Sequence, residues 1–206
     1  GGDDGEETAS QPVFTEPGSD NNQSSQPASE PLPTLSSTGA SDQTWTVMLY
    51  QDADDKILEE DIFLDLNEAE RVGYSENVQI VAQLDRFTSG FAGDGNWSTA
   101  RRYYVTRDDN LQTISSELIE DLGEVNMADS QTLVDFVVWA VENYPADKYV
   151  LIMSDHGIGW PGGWSDPDPV VPADRSLPIT AALGNDLYLM EIDQALSDIR
   201  AKTGID

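Results

Sequence analysis

The chain has 206 residues with 10 Lys and Arg, 39 Asp and Glu, one His and no Cys, giving a formal net charge of −29. A polymer this acidic is repelled by phosphate backbones and anionic lipids, and no apolar run reaches the roughly 18 residues of a spanning helix, so the expectation is no nucleic acid, no membrane-surface partner and no transmembrane span. Without Cys these residues hold no disulfide, thiolate metal site or cysteine nucleophile, and a single His removes multi-histidine zinc sites.

Residues 1–43 are rich in Ser, Pro, Gly, Asp and Glu, with eight of the 39 acids and none of the 10 bases. Such a composition buries too little apolar surface to offset its ordering entropy and reads as a disordered linker ahead of a body spanning 44–206. The start GGDDGEE has neither a basic n-region nor an apolar h-region, and so is not itself a signal peptide. A Ser/Pro/acid tether of this kind suits an exported, surface-anchored protein whose signal or lipid-attachment segment has been removed. The body still carries −21, the balance of 31 acids against 10 bases, as suits a soluble extracellular protein.

The body alternates. WTVMLYQ at 45–51 reads as a buried strand ending in the acidic turn DADD, and 57–72 as a helix stopped by Gly73. NVQIVAQLD at 77–85 is a second strand, a Gly-rich loop follows, and RRYYVTR at 101–107 is a third. A helix is expected around ISSELIEDLG, stopped by Gly123, and another over 130–144 with Ser130 as N-cap and Leu133, Phe136, Val137, Ala140 and Val141 on one face. KYVLIMSDHG at 148–157 gives the most apolar strand. A long Pro/Gly/Asp segment leads from it to a closing amphipathic helix within 187–204. This order predicts an α/β protein with a mainly parallel sheet and helices on its faces. With no GxGxxG after the first strand and no GxxxxGK[ST], nucleotide binding is not expected.

In open α/β sheets chemistry collects at the carboxyl ends of the strands. His156 follows such an end, between Asp155 and Gly157, and is the candidate general acid/base. It lacks an evident nucleophile. Ser154 shares the strand end without the Gly-flanked elbow of a hydrolase serine, and Ser165 and Thr180 lie in the long loop without distinguishing context. Asp52, Asp54, Asp55 and Asp85, all at or after strand ends, form a second candidate constellation that can hold Ca²⁺ or Mg²⁺, against the plainer reading of solvated acidic turns.

Four segments in order, DLNE at 65–68, LGEVNM at 122–127, YPADKY at 144–149 and DHGIGW at 155–160, together with WTVMLYQDADDKIL and NVQIVAQLDR, resemble the amino-terminal half of the clostripain family of cysteine peptidases. The resemblance covers Trp45 to about Trp160 and is expected to continue through the closing helix. It implies a caspase-like α/β/α sandwich, incomplete in this chain, with a His–Cys dyad. The dyad histidine falls on His156, and Gly157 is expected to lend its backbone N–H to the oxyanion site. The nucleophilic Cys of the family lies on the next strand, in a segment resembling DACLM, which places it beyond residue 206. Cleavage after basic residues is implied by analogy, and no cofactor is required for the chemistry.

The resemblance also implies maturation by self-cleavage into a His-bearing light chain and a Cys-bearing heavy chain. The usual cut would fall in 161–186, where Arg175 is the single basic residue. The expected partners are the Cys-bearing remainder and a peptide substrate. Because the missing strand would lie beside the His156 strand, leaving an apolar edge, this piece is also expected to pair with a second chain or with itself as an oligomer. Two further readings stand beside the peptidase: a non-catalytic caspase-like surface domain used for binding or assembly, and a Ca²⁺-binding module built on the strand-end acids.

Overall fold

The computed structural model describes residues 42–157, 163–166 and 186–205. Most of the acidic linker, and Arg175 and Thr180 of the long loop, lie outside the described residues. Five strands form the main sheet: β1 (Trp45–Ala53), β2 (Val78–Arg86), β3 (Ala100–Tyr104), β4 (Glu117–Gly123) and β5 (Lys148–Ser154). Two short strands, β6 (Gly163–Ser165) and β7 (Asp186–Tyr188), pair antiparallel in a separate ribbon. The helices are α1 (Glu59–Glu70), α2 (Ser130–Asn143) and α3 (Leu189–Thr203).

The order across the sheet is β4-β3-β2-β1-β5. β1 pairs in parallel with both β2 and β5, while β3 runs antiparallel to β2 and to β4, so four of the five strands share one direction. The expected mainly parallel α/β sheet is present, with one reversed strand. The helices cover both faces, as the two-residue period of a strand requires of β1. Met48 and Tyr50 join Leu133, Phe136 and Val137 of α2 and Ala195 and Ile199 of α3. Leu49 and Ala53 point the other way, with Ile62 and Leu66 of α1. β1 and β2 have a covered face on each side, which explains their nearly continuous apolar runs.

Two expectations are corrected. The stretch around ISSELIEDLG is not a helix; Glu117–Gly123 is a strand at the sheet edge, paired with β3. Its acids meet the arginines of β3 across the register. Arg101 Nε donates to Asp121 Oδ2 at 2.9 Å and Arg102 Nη1 to Glu120 Oε2 at 3.4 Å, while Leu118 and Ile119 stay exposed. Antiparallel pairing with β3 sets the conformation here, and the cross-strand charge pairs match its register. The N-cap of α2 is Asp129, not Ser130; the Asp129 carboxylate accepts from Gln131 N at 2.8 Å.

The end of α1 follows the sequence. Gly73 adopts φ +64°, and a Cβ there would come within 2.7 Å of the Arg107 backbone, so both the turn and the close approach require glycine. At its other end, Glu59 forms a buried ion pair with Arg86 at 2.8 Å. The Arg86 guanidinium also donates to the carbonyls of Gly93 and Phe91 and lies 4.6 Å from the Trp97 ring centroid. That arrangement fastens the Gly-rich loop after β2 onto α1.

Candidate active site

Because β5 lies beside β1 in parallel, the segments leaving their carboxyl ends are neighbours. Asp55 is two residues past the end of β1, and His156 is two residues past the end of β5. The two side chains meet: His156 Nε2 is 3.3 Å from Asp55 Oδ1. The imidazole is 43 % exposed and the carboxylate 26 %, so the pair lies at the rim of the sheet edge, open to a reacting partner.

Asp55 is itself held. Its Oδ1 accepts from the backbone N–H groups of Ile57 and Leu58 at 2.7 and 2.9 Å, closing the turn that enters α1. Burial pushes its carboxyl up, but the N–H donors of Leu58 and Ile57 and the adjacent His156 outweigh burial, so its pKa is lowered. An ionised, anchored carboxylate facing Nε2 can orient the ring through that nitrogen. Gly157 follows at φ +62°, with no atom of the described residues beyond its chain neighbours within 4 Å of where a Cβ would stand.

Of the four acids expected to gather as a metal constellation, Asp55 is drawn off to His156. Asp52 and Asp85 are register partners on β1 and β2, both fully buried, on the sheet face that carries Tyr50. Burial, then the charges of Asp166 and Asp155, push the Asp52 carboxyl well above the carboxylate range; burial, then Glu124 and Asp52, do the same to Asp85. Asp54 groups with Glu124 and Asp166, their ligand oxygens all within 4.8 Å of one another. Glu124 and Asp166 escaped the sequence reading because they come from the β4–α2 connection and from beyond β6, which only folding brings to this edge. The signal in the sequence was the E of LGEVNM, quoted for resemblance alone.

Ser154 ends β5 opposite Gln51, and no hydrogen bond joins it to His156 among the described residues. Among the described residues β5 has β1 as its sole strand neighbour and forms the border of the sheet, with Ile152 46 % exposed. Alongside it runs a cleft of about 730 Å³ lined by Met48, Val137, Leu151, Leu196 and Ile199.

Comparison with known proteins adds the following. The family described as the clostripain family matches residues 49–205. Clostripain of Hathewaya histolytica is 32 % identical over 129 residues, covering 57 % of this chain and 24 % of the relative, so the chain spans about a quarter of that relative's length. A B. fragilis cysteine protease structure shares 22 % identity at a TM-score of 0.44, covering 62 % of this chain and 98 % of that one. An inactive zymogen C11 protease from Parabacteroides distasonis shares 21 % at 0.48, covering 75 % and 39 %.

Proposed function

The chain belongs to the clostripain family, and on that premise we propose that it is the histidine-bearing portion of a cysteine endopeptidase. The observation that carries this reading is the exposed His156, aligned through Nε2 by Asp55, at the carboxyl end of a border strand. The nucleophilic thiol comes from sequence beyond residue 206, on a strand that pairs with β5 and brings its carboxyl end next to His156. His156 takes the thiol proton, holds the ion pair with the thiolate and then protonates the leaving amine. The N–H of Gly157, a residue with left-handed backbone, donates to the oxyanion of the tetrahedral intermediate.

Cleavage after basic residues, self-cleavage within 161–186 at Arg175, and export with residues 1–43 as a tether complete the proposal. The acidic body and the Ser/Pro-rich composition support export. Among the described residues no helix is long and apolar enough to cross a membrane. The test uses the full-length protein and fluorogenic peptide amides differing only at the residue before the scissile bond. Cleavage favouring Arg or Lys and abolished by iodoacetamide is expected. Activity that is insensitive to thiol alkylation would exclude the proposal.

A further inference from the structure

We propose that Arg86 and Glu59 are positioning residues for His156: their buried ion pair locks the Asp55 turn to the Gly-rich loop after β2, and so holds the carboxylate that meets the imidazole. The inference rests on the proposed peptidase reading and adds two residues to the same site.

The Asp55 turn does not fix its own place. Lys56 is exposed and Ile57 is 76 % exposed, so little apolar packing lies directly after Asp55. The hydrogen bonds of Asp55 stay within the turn. Its Oδ1 accepts from Ile57 N and Leu58 N, and its carbonyl accepts from Glu59 N at 2.9 Å. These bonds set the shape of the turn, while its position comes from the flanks. On one side Ala53 is the register partner of Arg86, and the Ala53 carbonyl accepts from Phe87 N at 3.2 Å. On the other side Glu59 Oε1 is 2.8 Å from Nε of the same arginine. Arg86 therefore holds both ends of the turn, one through strand register and the other through its side chain.

The loop completes the block. Glu59 Oε2 accepts from Phe91 N, and the Arg86 Nη1 and Nη2 atoms donate to the carbonyls of Gly93 and Phe91. Phe63 of α1 packs on Phe91 with ring centroids 5.1 Å apart, and the guanidinium lies 5.2 Å from the Phe63 centroid. A Cβ on Gly90 would collide with Glu59 Oε2, so the loop backbone seats directly on that carboxylate. Arg86 is 0 % exposed and Glu59 1 %, which takes both charges out of water. A buried ion pair gains little net stability over apolar side chains of the same volume, but it demands one geometry. Here that geometry reaches the imidazole: Glu59 opens the helix that Asp55 leads into, and Asp55 Oδ1 stands 3.3 Å from His156 Nε2. Small displacements of a catalytic group cost rate, so a rigid support for Asp55 has a function beyond stability.

The test is a double-mutant cycle on kcat in the full-length protein, with a basic peptide amide as substrate and at a temperature where melting curves show every variant folded. Arg86→Met should lower kcat at least about threefold with KM little changed. In the Asp55→Asn background the same substitution should change kcat by less than about 1.5-fold, because the arginine acts through Asp55. Phe136→Ala, which loosens the core on the opposite face of the sheet, should leave kcat near the parent value. Should Arg86→Met fail to fold, Arg86→Lys enters the same cycle, since it keeps a charge beside Glu59 and gives up the fork to Phe91 and Gly93. An equal loss in both backgrounds, or no loss in either, overturns the proposal. Amide hydrogen exchange supplies a readout that needs no cleavage. The Ile57 and Leu58 N–H groups should exchange at least about tenfold faster in Arg86→Met than in Phe136→Ala. Equal exchange in the two variants overturns the proposal whether or not the protein is a peptidase. A parent protein without thiol-dependent cleavage would remove the proposed function, and the exchange comparison would still decide whether the ion pair holds the Asp55 turn.

Discussion

His156 Nε2 stands 3.3 Å from Asp55 Oδ1 across the seam between two parallel strands. Neither residue is deep in the protein, so the contact gains little stability at a partly exposed site. Its value is orientation, because the carboxylate is itself pinned by the N–H groups of Ile57 and Leu58.

Asp55→Asn keeps an oxygen for those two N–H groups and removes the charge from Nε2. The expected result is a fall in kcat of at least about tenfold in the full-length enzyme, with KM and melting temperature little changed. Steady-state kinetics with a peptide amide measures it. A change confined to KM would assign Asp55 to substrate binding instead.

The buried pair Arg86–Glu59 should behave differently. Arg86→Met leaves the Glu59 carboxylate buried without its partner and frees the loop carbonyls of Phe91 and Gly93. A loss of about 3–5 kcal/mol in urea unfolding is expected. Adding Glu59→Gln to that variant should restore part of the loss, because the uncompensated charge is then gone.

Phe136 of α2 is fully buried against Tyr50, with ring centroids 5.7 Å apart, in the core shared by β1, α2 and α3. Phe136→Ala should cost about 3–5 kcal/mol through lost burial and the cavity left behind. Chemical denaturation monitored by tryptophan fluorescence gives the value.

Asp147 supplies a pH dependence. The Thr44 backbone N–H and hydroxyl both donate to its carboxylate, fastening the entry of β1 to the α2–β5 connection. The Thr44 backbone bond, then its hydroxyl, lower the Asp147 pKa. A carboxyl lowered on folding contributes stability above the ordinary aspartate range and loses it as pH falls through the lowered value. The urea midpoint of the parent protein should therefore drop more steeply below about pH 4 than that of Asp147→Asn. Parallel curves would show that the contact contributes nothing.

Much of this architecture was legible because the period of apolar residues reports burial directly. VMLY in β1, QIVAQL in β2 and the stripe through Leu133, Phe136 and Val137 each name their own partners on one or both faces. His156 was legible from position alone, as the first titratable side chain after Asp155 beyond the most apolar strand. β4 was not, because what holds it is pairing with β3 about twenty residues upstream, and a local window reads ELIEDL by propensity. The acid cluster was half legible. Asp52, Asp54 and Asp85 announce themselves at strand ends, but Asp55 was assigned to it and belongs with His156, while Glu124 and Asp166 join through tertiary contacts.

The most direct measurement of the central claim is kcat/KM of the full-length protein carrying His156→Ala, read with a basic peptide amide and paired with a thermal melt. The side chain is 43 % exposed, so folding should be preserved. Loss of about 10²–10⁴-fold in kcat/KM at an unchanged melting temperature is the predicted result. Activity within a few fold of the parent protein would contradict the assignment of His156 as the base.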